Sequence, residues 1–523
     1  MRLLLFLTPV LLAQVNVPYE RILNADAEPG SWLTYSRNYS GQRYSPLDQI
    51  HTGNVSKLRV AWMNQANETE TVQASPIVAD GVMFITKPPN IVEALDAKTG
   101  RVLWTYRREI GNDFRGCCGR VNRGVAILGD TVYYGSIDAH LVALNANTGA
   151  VRWDVVMADP KVGFSGTGAP LVVKDKVIAG IAGGEFGVRG FIDAYDAKTG
   201  KRAWRFYTIP DKGEPGAETW AGESYKTGAA TTWVTGVYDP ETDTLLWGTG
   251  NPGPDWNGDG RKGDNLYSSS LVALDPSTGK LKWHFQYTPH DVNDWDSTQT
   301  PILADGVVGG QKRKLVVLAN RNGFYYSIDR VSGKFVAGRP FVKQTWASGL
   351  DESGRPMRLP NTTPTEAGVL LYPSLGGGSN WYASTFSPQT GLYYVNAKEE
   401  GAYYIKGAAE FKAGSFFNGG GQRPNKAEQP WGAVRALDVV TGEMKWEYRL
   451  HVPSHAGLMT TAGGLVFGSN GTSFFALDAS KGDLLWRFEA GGGIVANPIT
   501  YKVDGKQYVA ISARHVLLVF GVE

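Results

Sequence analysis

An eleven-residue motif recurs along this chain and narrows its possible folds more than any other feature. It first reads Ala94-Leu95-Asp96-Ala97-Lys98-Thr99-Gly100-Arg101-Val102-Leu103-Trp104. It returns from Ala143 to Trp153, Ala194 to Trp204, Ala273 to Trp283, Ala436 to Trp446 and Ala476 to Trp486. Looser copies run from Val237 to Trp247, Ser327 to Val336 and Thr385 to Tyr394. In each, an alternating strand ends at the Asp or Asn, a turn centres on Thr-Gly, and a second strand begins before the Trp. That pattern predicts a β-hairpin closed by an Asx-type turn. The Trp, at constant offset, is expected to pack between neighbouring sheets.

A second strand signal precedes many copies, as in Ser75-Pro76-Ile77-Val78-Ala79-Asp80-Gly81-Val82-Met83-Phe84-Ile85, with echoes at Ala169 to Val173 and Thr300 to Leu303. Each unit therefore holds about four strands, as a propeller blade does. About 490 residues at roughly 45–65 per blade give seven to nine blades, and we take eight. The expected fold is all-β: one eight-bladed β-propeller over residues 14–523. Its last strand, Tyr508 to Val519, is expected to close the ring on N-terminal strands, with Trp32 to Ile50 taking part. The longest insertions, Asp211 to Thr227, Asn251 to Asp264, Phe341 to Asn380 and Ala397 to Gln429, are expected as loops on one face, where function concentrates.

Composition adds limits. A chain of 523 residues is too long for one ordinary core. The formal charge of +2, with mixed signs and no basic block, gives no sign of a nucleic-acid partner. Met1-Arg2 followed by an apolar run from Leu3 to Leu12 reads as a secretory leader, residues 1–13, cleaved near Ala13. No later run is long and apolar enough to span a membrane. The expected location is periplasmic or secreted.

The two cysteines, Cys117 and Cys118, are adjacent. They are either free thiols in a loop or a vicinal disulfide. Export without another cysteine favours a bond kept for function, because so small a ring stabilises the fold little. Asp294 and Asp296 stand two residues apart. On an extended segment both side chains share one side. Two carboxylates roughly 4 Å apart repel by about 4 kcal/mol at an effective dielectric near 20. Such a pair shares a proton or holds a cation, and we expect the cation. Asp255-Trp256-Asn257-Gly258-Asp259-Gly260 resembles the start of an EF-hand loop, but its twelfth position is Leu266 and its flanks carry no helix signal. We set it aside.

Taken together, the tryptophan repeat, the adjacent cysteines and the Asp294-Trp295-Asp296 segment resemble the quinoprotein alcohol dehydrogenases. Members of this family are similar to the large subunit of methanol dehydrogenase and use pyrroloquinoline quinone (PQQ) with a metal ion. The resemblance spans the chain after its leader. It implies that Cys117-Cys118 forms a disulfide platform under the quinone, and that Arg123 and Thr167 bind that cofactor. Thr231 and Trp233 lie in the segment whose Trp covers the opposite face. Gly183 and Gly184 allow close approach, and Glu185 and Asn251 are metal ligands. Asp294 is the implied catalytic base and a ligand, Arg321 approaches the reactive carbonyl, and Asn380 matches a cofactor-amide position.

Asp296, an acid two positions after the base, marks the lanthanide-dependent branch of the family, with calcium the alternative. Glu185, Asp294, Asp296 and a cofactor carboxylate suit a trivalent ion. Three positions depart from the pattern: Gln73 replaces a Glu, Asn293 a Trp, and His455 another Trp, which makes methanol a doubtful substrate. The resemblance implies oxidation of an alcohol to an aldehyde. No Cys-x-x-Cys-His is present for covalent haem, so a separate cytochrome c is the implied acceptor. A homodimer is left open. The alternatives are a non-catalytic propeller scaffold and a quinoprotein acting on sugars or polymeric alcohols.

Overall fold

The computed structural model describes residues 14–66, 70–111, 114 and 116–522. The expected leader lies outside these residues. Secondary structure is overwhelmingly strand; the single α-helix among the described residues, Tyr19–Leu23, is five residues long. No described helix is long and apolar enough to cross a membrane.

The strands form seven four-stranded sheets and one five-stranded sheet, with two smaller sheets beside them. Within most of the larger sheets consecutive strands pair antiparallel in chain order, as Ile77–Ala79, Val82–Lys87, Ile91–Asp96 and Val102–Arg107 do. The six strong motif copies are each the third and fourth strands. In all six, the motif's first Ala faces its Trp across the pair, from Ala94 and Trp104 to Ala476 and Trp486. Two looser copies are out of phase. Val237–Asp239 with Thr244–Gly248, and Thr385–Ser387 with Leu392–Glu399, are first and second strands.

The turn is built as the residue types require. Asp96 Oδ1 accepts the backbone N–H groups of Lys98 and Thr99, each at 3.0 Å. Gly100 then takes φ of +74°, where a Cβ is disfavoured. In several sheets the Trp reaches the turn of the next. Trp104 Nε1 donates to Ala146 O at 2.9 Å, and Trp153 Nε1 to Ala197 O at 3.1 Å. A Cβ at Gly149 would lie 2.7 Å from the Trp104 indole, so glycine is needed there for space as well as for φ. Hydrophobic clusters fill the gaps between neighbouring sheets.

Closure of the ring differs in detail from the expectation. The span from Tyr508 to Val519 is a hairpin, Lys506–Ala513 with Val516–Gly521, turning at Arg514 with φ of +54°. Its outer partner is Arg59–Gln65, not the Trp32 to Ile50 region. That region instead adds Tyr44–Ser45, in parallel, beside Met459–Thr461. Adjacent strand pairs here leave no sequence signal, because the partners lie more than 400 residues apart.

Antiparallel order has a functional consequence. Connections from second to third strand, and from the fourth strand to the next sheet, emerge at the same end of every sheet. The Thr-Gly turns occupy the opposite end. All four long insertions fall among the first kind of connection. They are not wholly irregular: Val369–Leu371, Ala402–Lys406 and Gly420–Pro424 pair into a small sheet over that end.

Candidate functional site

At the insertion-bearing end lies a cavity of about 280 Å³. It is lined by Gln73, Cys117, Cys118, Arg123, Thr167, Gly183, Gly184, Glu185, Thr231, Trp233, Asn251, Asp294, Asp296, Arg321 and Asn380, all singled out from the sequence. Val121, Leu375 and Trp381 also contribute. Every one of these residues sits in a second-to-third or sheet-to-sheet connection. Residues as distant as Gln73 and Asn380 meet because the ring brings those connections together.

Cys117 and Cys118 are joined as a disulfide, with Cys118 Sγ 3.7 Å from Glu185 Oε1. The Arg123 guanidinium lies over two indoles, 4.8 Å from the Trp233 ring and 4.5 Å from that of Trp381. Among the described residues it has no carboxylate partner; Nη1 reaches only Thr167 O, at 3.4 Å, and Nε is buried without a partner. Burial pulls its pKa down to about 10. Such a cation is built to receive an anionic group.

The Asp294 to Asp296 segment departs from the extended geometry expected of it. Asp294 has φ of +57°, and the segment is a loop. Asp291 holds this loop from within, its carboxylate accepting the N–H groups of Asn293 and Trp295 at 2.8 Å each. The Arg321 guanidinium spans the two carboxylates. Arg321 Nη1 donates to Asp296 Oδ2 at 2.7 Å, and its Nη2 lies 3.8 Å from Asp294 Oδ1.

The two acids differ sharply in their partners. Asp296 also accepts the backbone N–H of Asn251, at 2.8 Å on Oδ1, and Trp233 Nε1, at 3.1 Å on Oδ2. Gly250 permits this approach, since a Cβ there would meet Asp296 Oδ1 at 2.6 Å. Among the described residues, Asp294 has only the long contact with Arg321. Burial raises its pKa well above the usual carboxylate range; Arg321 opposes this, while Asp255, Asp296 and Glu185 add to it. Burial likewise raises Glu185, with Asp296 contributing.

Asp255 is the residue that sequence reasoning missed. It belongs to the segment set aside as a false EF-hand, yet it is 2% exposed and accepts from Asn251 Nδ2 at 2.7 Å. Arg261, on the same loop, donates to Pro254 O at 2.9 Å and to Asp291 O at 2.6 Å, which ties the loop to the Asp294 segment. The acidic run was the available signal, but its lack of EF-hand periodicity pointed away from a ligand role.

The residues fit a planar anionic cofactor with a hard cation. Arg123 Nε, Arg321 Nε and Gln73 Oε1 are buried without partners among the described residues. The donor set of Glu185, Asn251, Asp294 and Asp296 is all oxygen, as hard ions prefer. A PQQ-family model, described as glucose/ethanol/alcohol dehydrogenase, beta-propeller domain, matches residues 32–343 and 448–509. The chain belongs to the PQQ-dependent alcohol dehydrogenase family.

Among relatives of this PQQ-dependent dehydrogenase, the quinoprotein alcohol dehydrogenase PedH of Pseudomonas putida is 41% identical over 95% of this chain and 88% of its own length. The quinoprotein ethanol dehydrogenase of Pseudomonas aeruginosa is 38% identical, over 96% and 88%. The crystal structure of the quinohemoprotein alcohol dehydrogenase from Comamonas testosteroni superposes with a TM-score of 0.93, at 36% identity, over 97% of this chain and 82% of that one. A europium-containing methanol dehydrogenase gives 0.91, at 35% identity, over 96% and 100%. Membership of a dehydrogenase family sets aside the non-catalytic scaffold.

Proposed function

We propose that this enzyme is an eight-bladed propeller that oxidises a primary alcohol to an aldehyde in the periplasm and delivers electrons to a cytochrome c. The eight larger sheets are its blades. PQQ would lie between the Cys117–Cys118 disulfide and Trp233, with Arg123, Thr167, Gln73, Thr231, Asn380 and the Gly183-Gly184 backbone around it. Glu185, Asn251, Asp294 and Asp296 would hold the cation, a lanthanide in preference to calcium. The chemistry such a quinone and cation supply is acceptance of hydride at a polarised carbonyl.

The observation that carries this reading is the contrast between Asp294 and Asp296. Asp296 is fixed by three donors, while Asp294 lines the cavity and, among the described residues, has no partner closer than Arg321 at 3.8 Å. Asp294 is thus the carboxylate free to take the proton of an alcohol hydroxyl. Arg321 holds the two acids in register and presents positive charge where negative charge develops. The trivalent preference is supported by the charge of Asp296 placed beside Glu185 and Asp294, and by the europium-containing structural relative.

The test is reconstitution. Protein purified without cofactor is loaded with PQQ and either lanthanum or calcium, and dye reduction is followed over a panel of alcohols and sugars. The reading expects turnover with primary alcohols, faster with lanthanum. Turnover with sugars alone would replace the substrate assignment, and faster turnover with calcium the metal assignment.

A further inference from the structure

Asn251 carries an amide whose two ends differ chemically: Oδ1 can only accept and Nδ2 can only donate. Both of its side-chain hydrogen bonds among the described residues leave from Nδ2, to Asp255 Oδ1 at 2.7 Å and to Pro252 O at 3.4 Å. Asp255, when ionised, offers acceptors alone, so the reversed amide would set oxygen against oxygen. Asp255 does not line the cavity. It stands behind Asn251, 2% exposed, with Oδ2 buried and without a partner among the described residues. Its loop is held by Arg261, whose own exposure is nil and which donates to Pro254 O, Asp291 O and the Asn265 side-chain oxygen.

We infer that Asp255 is a positioning residue: by taking the Asn251 amide N–H it turns Asn251 Oδ1 toward the cavity and so fixes a neutral oxygen ligand for the cation. This rests on the proposed cation site and adds to it a residue outside the ligand set. Partners of this kind orient ligands rather than bind metal, and their loss weakens metal affinity by about 10- to 100-fold. The role belongs to the hydrogen bond, so an amide in place of the carboxylate, whose oxygen still accepts, retains it.

The probe is Eu3+ luminescence, titrated into the PQQ-loaded protein without any turnover. Asp255→Ala is expected to weaken Eu3+ binding by about 10- to 100-fold, while Asp255→Asn stays within a few-fold of wild type. Asp255→Leu keeps the side-chain volume but offers no acceptor, and is likewise expected to weaken Eu3+ binding by about 10- to 100-fold. It opens no cavity, so it decides the matter even if Asp255→Ala does not fold. Wild-type affinity in Asp255→Ala or Asp255→Leu, or loss in Asp255→Asn equal to that in Asp255→Ala, would overturn the inference. Failure of the wild-type protein itself to bind Eu3+ points instead at the cation site, which separates the two readings.

Discussion

Arg321 places Nη1 2.7 Å from Asp296 Oδ2, and the same guanidinium reaches Asp294 Oδ1 at 3.8 Å. It is a fork spanning two acids of unequal freedom. Lysine, a point charge with no fork, cannot span both. Arg321→Lys is therefore expected to fold, since Asp296 keeps Asn251 N–H and Trp233 Nε1. Its kcat should fall by about 10²- to 10³-fold, the usual cost of losing a donor aimed at developing charge. Steady-state dye reduction beside a circular dichroism spectrum checks both halves.

Asp296→Ala removes a negative charge from the oxygen cluster as well as three accepted hydrogen bonds. The structural loss is common to both metals, whereas the charge loss bears harder on a trivalent ion. The ratio of lanthanum-supported to calcium-supported turnover should drop in the variant. An unchanged ratio counts against the lanthanide assignment.

Cys117 and Cys118 close a ring of adjacent residues, so their bond removes little freedom from the unfolded chain. The double variant Cys117→Ala/Cys118→Ala is expected to unfold near the wild-type temperature yet to retain PQQ poorly through gel filtration. Calorimetry and the quinone absorbance of the eluted protein measure the two effects separately.

Two glycines with similar dihedrals isolate the tryptophan docking. Gly81 has φ of +78° and open space where a Cβ would go; Gly149 has φ of +74° and the Trp104 indole 2.7 Å from that position. Gly81→Ala should cost about 1–2 kcal/mol for the left-handed backbone. Gly149→Ala should cost about 1–3 kcal/mol more, for overpacking against the neighbouring sheet. Urea midpoints of the two variants give the difference.

His290 is held neutral. Burial lowers its pKa, Arg261 and Arg358 lower it further, and its bond to Gly263 O and the charge of Asp264 oppose them. The unfolded chain takes up a proton as pH falls below about 6.5, and the folded chain resists. Stability from this group is thus fully present above that value and is lost as pH falls toward the folded pKa. His290→Asn tolerates the φ of +48° and cannot titrate. Between pH 7.5 and 5.5 its urea midpoint should fall less than that of wild type.

Much of the site could be read in the chain, because the motif is local. Asp96 reaches the N–H groups two and three residues on, and the Trp follows at fixed offset, so each hairpin declares itself without help from the rest. The convergence of Gln73, Glu185, Asn251, Asp294 and Arg321 on one cavity also followed from resemblance by position. What tertiary structure alone decided depends on contacts across large separations. The pairing of Arg59–Gln65 with the last strand, the left-handed turn at Asp294, the guanidinium shared by two acids, and the place of Asp255 behind Asn251 are of this kind. A short-range pattern records which residues can turn or alternate; it does not record which distant connection a closed ring will set beside them.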